Sequence, residues 1–285
     1  MRTADPPVPG PSEREQRGVL AAAGEWVREV LAQTCGLVAP RDCPCGTEGA
    51  WLCAACRALL SAPPVRVDAT CDALQQLHAA RVRDEGPEAP AGVDHVPLLP
   101  VWALGEYGGD LQRIVLAWKN GGRLHLGPDL AQGLAPAVTA ITGAAGLPDD
   151  GQGPDLVPVP SRLAARLRRG EDHTAELVRG LAARGLGRPL LLRASPTNTQ
   201  EGLGSRGRRR RGMLLDERAA RHAARRGAPV VIVDDVVTTG STLRALHGAL
   251  TAAGLEVLGA AVVASARIPA PVGLPGGRNP ASRDR

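Results

Sequence analysis

The stretch Val-Val-Ile-Val-Asp-Asp-Val-Val-Thr-Thr-Gly-Ser-Thr, residues 230–242, decides how this chain is read. Four consecutive β-branched residues, 230–233, mark a buried strand. Two carboxylates, Asp234 and Asp235, stand at its carboxyl end. Thr238, Thr239, Gly240, Ser241 and Thr242 then open a helical run over residues 243–253. Hydroxyls, backbone N–H groups and a helix N-terminus converging on one loop bind phosphate. A sugar phosphate docked there would bring its hydroxyls to the acidic pair. The carboxyl ends of the strands are also where an open α/β sheet takes its ligand.

Two other origins for such a stretch fit less well. A Walker B strand needs a partner Gly-x-x-x-x-Gly-Lys-Ser/Thr loop. The only lysine is Lys119, and it stands in Trp-Lys-Asn-Gly-Gly. A phospho-acceptor aspartate of the receiver type is not followed at once by a phosphate loop.

The 285 residues are enough for one or two domains with a full core. Hydrophobic residues at 44% and charged residues at 22% suit a soluble globular protein. Phe is absent, so the core must be Leu, Val, Ala and Ile, and a base-stacking single-strand binder is disfavoured. The net charge of +5 comes almost wholly from Arg, 33 of the 34 basic residues, which favours polyanionic ligands. No apolar run reaches membrane-spanning length, so no membrane insertion is expected. The N-terminus lacks the order of a signal peptide. A cytoplasmic location is expected, with the six cysteines as thiols or metal ligands rather than disulfides.

Strands alternating with helices from about residue 100 predict an α/β fold with a parallel sheet flanked by helices. Strands are expected at 101–107, 156–159, 189–192 and 257–264, besides the one at 230–233. Helices are expected at 109–118, broken by Gly121-Gly122, and at 126–140, 174–183 and 243–253. The domain boundaries read as follows: 1–17 disordered, 18–75 a helix (residues 19–31) with a small cysteine-rich zinc-ribbon-like module, 98–267 the α/β domain, 268–285 a disordered tail. Residues 78–97 read as a variable loop carrying Pro87, Pro90 and Pro97, residues 144–154 as a loop, and 194–213 as polar and Arg-rich.

Cys53-Ala-Ala-Cys56 has the two-residue spacing of a zinc knuckle, but Cys43 and Cys45 have one residue between them. Three readings stand: zinc on Cys43, Cys45, Cys53 and Cys56; zinc on Cys45, Cys53 and Cys56 with Asp42 or Cys35; or a degenerate knuckle without metal. A filled four-ligand site would be structural. Cys71 reads as an ordinary buried thiol.

The signature at 230–242 resembles the phosphoribosyl diphosphate (PRPP) motif of type I phosphoribosyltransferases. Further residues resemble the ComF (GntX-like) family of phosphoribosyltransferase-like proteins over residues 35–265. They are Tyr107-Gly108, residues 116–119 with Gly121-Gly122, Val157-Pro158-Val159-Pro160, Arg169-Gly170, Thr199-Gln200 with Leu203, and Arg208-Arg209. The resemblance implies a type I phosphoribosyltransferase fold behind a cysteine module. It implies PRPP held with Mg²⁺: 5′-phosphate on Thr238, Thr239, Gly240, Ser241 and Thr242, and ribose hydroxyls on Asp234 and Asp235. Lys119, Pro160, Ser161, Arg162, Arg208 and Arg209 become candidates for the diphosphate or for a hood over it. The chain departs from the family pattern at Glu171-Asp172-His173, where Phe-Asn-Gln is usual, and in the segment after Arg209. No catalytic residue is assigned. His173 reads equally as a surface helix residue or as an acceptor-site group.

The function expected is phosphoribosyl transfer from PRPP to an unidentified nitrogenous acceptor. The alternatives are a PRPP- or nucleotide-binding protein without catalysis, and a DNA-uptake (competence) accessory protein with single-stranded DNA or a helicase as partner.

Overall fold

The computed structural model describes residues 42–83, 92–147, 153–160, 172–192, 194–198 and 211–269. The expected helix at 19–31 and the expected disordered segment 1–17 lie outside them, as does most of the tail. The chain divides into two units, Met1–Cys53 and Ala54–Arg285. The described residues of the first turn tightly at once: Cys43 N–H donates to Thr47 O, and Gly46 N–H donates to Cys43 O, both at 2.8 Å.

The second unit runs α1 (Ala54–Leu60), β1 (Val65–Arg66), β2 (Gln75–Arg83), β3 (Gly92–Pro97), β4 (Val101–Glu106), α2 (Gly109–Asn120), α3 (Gly127–Ala144), β5 (Asp155–Pro158) and α4 (His173–Ala182). It continues with β6 (Arg188–Pro189), β7 (Ala194–Asn198), β8 (Arg211–Leu215), α5 (Glu217–Arg226), β9 (Val230–Val237), α6 (Ser241–Ala252) and β10 (Val257–Ser265). The main sheet has the order β1-β4-β10-β9-β5-β6. Its neighbours pair in parallel except at the edge, where β1 lies antiparallel to β4.

The signature strand β9 sits inside the sheet, between β10 and β5, and both of its faces are covered. That is why residues 230–233 read as an unbroken apolar run rather than an alternating one. Val230 and Ile232 join the cluster formed by Leu243, Leu246 and Leu250 of α6. Those three leucines recur at helical spacing, so one stripe of α6 is apolar. Val231 and Val233, also buried, point to the opposite face, over which α3 and α4 pack on each other and on the sheet. Helix α2 buries Leu111, Ile114, Val115 and Trp118, again one stripe.

Three stretches differ from expectation. Within residues 78–97, expected as a loop, β2 and β3 form an antiparallel pair with Gln75 opposite Pro97. Pro87 and Pro90 fall between the strands and Pro97 ends β3, where a missing N–H costs little. The polar stretch 194–213 likewise contains β7 and most of β8, paired antiparallel from Ala194–Leu215 to Asn198–Arg211. Helix α5 was not expected at all. Its signals are local: Asp216 caps it by accepting from the Arg218 and Ala219 N–H groups, and Gly227 closes it in the left-handed region at φ 67°.

Candidate functional site

Parallel pairing aligns the carboxyl ends of four strands. Asp234 on β9 lies opposite Val262 on β10, Ser265 lies opposite Glu106 of β4, and Val159 N–H, just past β5, donates to Val233 O. The acidic pair therefore stands on an inner strand, toward the carboxyl edge of the sheet.

The two carboxylates differ. Asp234 is buried, and its Oδ1 accepts the Asp235 N–H at 2.8 Å. Burial first, and the charge of Asp235 second, raise the Asp234 carboxyl well above its ordinary range; the Asp235 N–H and Lys119 pull it back in part. Asp235 is more open, and its Oδ2 lies 2.6 Å from Lys119 Nζ. Lys119, expected at a phosphate, is thus set against the acidic pair.

Past Val237 the loop comes to the surface at Thr238 and Thr239 and dips at Gly240. Gly240 is the N-cap of α6, in the left-handed region at φ 76°, and no side chain caps the helix. Of the first-turn N–H groups of α6, which have no intrahelical acceptors, that of Ser241 makes a long contact of 3.4 Å to Thr239 Oγ1; the N–H groups that follow it, with the hydroxyls of Thr238, Ser241 and Thr242, face the same loop.

A Cβ on Gly240 would lie 2.7 Å from Leu74 Cγ and 3.1 Å from Cys71 Cβ. Glycine is needed here for the packing beneath the loop and for its φ. Two 3₁₀ turns, Asp68–Thr70 and Asp72–Leu74, form that support. Ala73 N–H donates to Thr239 O at 2.9 Å, and Arg244 Nη1 donates to Ala73 O at 2.7 Å. Cys71 is fully buried, and burial, then the charges of Asp68 and Asp72, push its thiol up to about 11. Sequence reading took Cys71 for an ordinary buried thiol, which it is, and gave no role to Ala73, Leu74 or Arg244. Ala73 lies 171 positions before Arg244, and no local signal links the 3₁₀ turns to the loop they hold.

His173 is buried, not on the surface. Its Nε2–H donates to the Trp118 carbonyl at 3.1 Å, and its ring meets the Trp118 indole edge to face at 5.0 Å. Asp172 is the N-cap of α4, accepting from Ala175 N–H and Thr174 Oγ1. Thr174 Oγ1 also donates to Val159 O at 2.8 Å. Pro160 follows directly after Val159. Ser161, Arg162, Arg208, Arg209 and Cys35 lie outside the described residues.

Cys43, Cys45, Cys53 and Cys56 come together, with their sulfurs all within 4.8 Å of one another; Asp42 is not part of the group. Cys45 Sγ and Cys53 Sγ lie 3.6 Å apart. A tetrahedron with Zn–S of about 2.3 Å has sulfur–sulfur edges of about 3.8 Å, so the cluster has the dimensions for zinc. The Thr47 hydroxyl, then its backbone amide, then Cys43 draw the Cys45 thiol down to about 6, toward the thiolate a soft metal prefers.

Residues 198–271 match the family described as phosphoribosyl transferase domain. The match covers β8, α5, β9, α6 and β10, and so includes the acidic pair and its loop. With the helix-covered, mostly parallel sheet, this defines a type I phosphoribosyltransferase fold. Among solved structures, the chain is similar to the hypoxanthine phosphoribosyltransferase of Trypanosoma cruzi, at 21% identity, over 52% of this chain and 70% of that one, with a TM-score of 0.31. It is also similar to a glutamic acid mutant from a study of an invariant aspartic acid in such enzymes, at 22% identity, over 55% and 73%, with a TM-score of 0.31. No curated protein matches the chain. Among the described residues, no helix is long and apolar enough to cross a membrane.

Proposed function

We propose that the protein binds PRPP with Mg²⁺ and transfers ribose 5-phosphate to a nitrogenous acceptor, releasing diphosphate. The observation that carries this is the acidic pair in the carboxyl-terminal half of the inner strand β9, followed after Val236 and Val237 by a loop of four hydroxyls at the N-terminus of α6. In this reading Thr238, Thr239, Ser241, Thr242 and the first N–H groups of α6 hold the 5′-phosphate. Asp234 and Asp235 accept the ribose hydroxyls, which fixes the anomeric carbon relative to the sheet edge. The two carboxylates offer oxygen ligands, which suit Mg²⁺, with Asp235 Oδ2 open to the ion once Lys119 Nζ, 2.6 Å away, moves off it. Asp234 and Asp235 would hold the ion together with PRPP, and it would supply positive charge against the diphosphate. Lys119 would turn its ammonium group from Asp235 toward the diphosphate, and Pro160, with Ser161 and Arg162 next in sequence, follows β5, which pairs with β9. Catalysis would come mostly from orientation and from stabilising the leaving group.

Calorimetry is expected to show Mg²⁺-dependent PRPP binding that Asp234→Asn with Asp235→Asn abolishes. Unchanged affinity in the double variant would remove the ribose assignment. A panel of nitrogenous bases incubated with PRPP and Mg²⁺, scored for diphosphate release, then identifies the acceptor.

A second reading, PRPP or nucleotide binding without transfer, draws on the N-cap role of the half-buried Asp172 and the burial of His173. They depart from the ComF pattern and serve capping and core contacts, so they leave the acceptor side without those two groups. Binding with no diphosphate release from any base would favour it. The single-stranded DNA and helicase partners implied by resemblance to the ComF family rest on Arg208 and Arg209, outside the described residues, and gain nothing here.

The cysteine group is proposed as a structural zinc site with Cys43, Cys45, Cys53 and Cys56 as ligands. Elemental analysis of protein purified without chelator is expected to give about one zinc per chain, since four thiolates complete its tetrahedron. Cys56→Ser should release it, whereas Asp42→Ala and Cys35→Ser should not. A metal-free protein would refute the site, and loss of metal in either of the latter two would change the ligand set.

A further inference from the structure

We infer that His173 is a positioning residue for Lys119, acting through the Trp118 carbonyl. Its functional meaning rests on the phosphoribosyl reading above; its geometry does not. The last four carbonyls of a helix lack intrahelical donors. At the end of α2 the Ala117 carbonyl takes the Gly121 N–H at 3.0 Å and the Arg123 N–H at 3.3 Å. The chain then turns away at Gly122, at φ 65°. The Trp118 carbonyl is instead met by His173 Nε2–H at 3.1 Å, from the first turn of α4. A carbonyl only accepts, so this contact fixes the Nε2–H tautomer. The two rings, edge to face at 5.0 Å, hold the same residue from its side-chain end.

Lys119 is the next residue. With Trp118 held at both backbone and ring, the α2 end cannot roll, and Lys119 is aimed at Asp235 Oδ2, 2.6 Å away. Thr174, beside His173, ties the same helix start to Val159 O at 2.8 Å. One turn of α4 therefore anchors two arms of the site: the lysine that neutralises the acidic pair and the end of the β5 strand. In the protein without ligand, Lys119 stands where a cation must balance two adjacent carboxylates, and it is the only lysine among 34 basic residues.

That uniqueness makes the test residue-specific. Amine labelling of the folded full-length chain, read by peptide mass spectrometry, reports Lys119 apart from the N-terminal amine. His173→Met, similar in bulk but without a donor, is expected to label about fivefold faster, the factor that one lost hydrogen bond carries. Asp235→Asn should also label faster. His173→Gln, which keeps a donor, should return the rate to that of the unaltered protein. Equal rates in all four proteins, or no rescue by glutamine, would overturn the inference. If His173→Met does not fold, nitrogen-15 NMR of the unaltered protein decides: an Nδ1–H tautomer at His173 would overturn it, and Nε2–H with slow exchange supports it. A binding readout separates this from a general packing defect. His173→Met should weaken PRPP binding in the unaltered background but add no further loss to Lys119→Ala; additive losses would refute action through Lys119. If the unaltered protein does not bind PRPP, the proposed function fails, and the labelling rates still decide the positioning role.

Discussion

Asp234 carries a stability cost that its place at the site explains. Burial and the neighbouring Asp235 charge raise its carboxyl well above 3.8, its ordinary value. The folded chain therefore holds this proton more tightly than the unfolded chain does. Stability is undiminished below 3.8, falls as pH rises from there through the folded value, and stays lowered above it. Asp234→Asn keeps an oxygen for the Asp235 N–H and removes the charge. Its melting temperature should exceed that of the unaltered protein at neutral pH, and the gain should vanish below about pH 4, near the ordinary carboxylate value. The same variant should lose PRPP binding. A gain that does not depend on pH would mean that some other change, not the ionisation of Asp234, is responsible. More stable and less functional is the expected signature of a group retained for ligand binding.

The loop after β9 is held from below by the two 3₁₀ turns at 68–74, and its glycine shows how. Gly240→Ala places a methyl against Leu74 Cγ at a positive φ, which should cost about 1–3 kcal/mol of stability. If the collision with Leu74 is a major part of that cost, Gly240→Ala with Leu74→Ala should lose less than the sum of the two single losses, by about 1 kcal/mol. Strict additivity in denaturant titrations would leave φ strain alone as the reason for glycine. The contrast between β9 and its support shows what could be read in advance. The apolar run 230–233, the acidic pair and the loop form one local pattern, so strand, turn and helix were all expected there. The same holds for α2, α3, α4 and β10, whose apolar periods are long. The strands β2, β3, β7 and β8 were missed because polar residues and prolines mask a period of two, and short ribbons depend on their partner for definition. Helix α5 was missed although Asp216 and Gly227 bracket it, because its buried stripe is only Ala220 and Ala223 between arginines. The fold of the core and the acidic pair were thus accessible from sequence. The Lys119–Asp235 contact, the burial of His173 and the support from Ala73, Leu74 and Arg244 were not, because each joins residues far apart in the chain.

Under the proposed function, the two edges of the main sheet separate binding from stability. The carboxyl edge holds Asp234, Asp235 and Lys119. The amino edge holds Asp155, the first residue of β5, which is fully buried. Its Oδ2 is paired with Arg226 Nη2 at 2.5 Å, while Oδ1 has Arg188 Nε at 3.6 Å and no hydrogen bond. The arginines remain partly exposed and would be resolvated if released, but the carboxylate would not. The cost of breaking the pair should therefore be lopsided. Arg226→Ala strands a buried charge with one distant partner and should destabilise the fold by on the order of 3 kcal/mol. Asp155→Asn removes that charge, leaves the guanidinium groups to water, and should cost less. Neither should change PRPP affinity below the melting transition, because both lie at the opposite end of the strands from the acidic pair. Thermal or urea unfolding of the two variants, with calorimetry on the folded proteins, tests both parts. If Asp155→Asn proved the more damaging change, the pair would be a net source of stability rather than a buried charge held in check. A loss of PRPP affinity in Arg226→Ala would show that the two edges are coupled through β5 and β9.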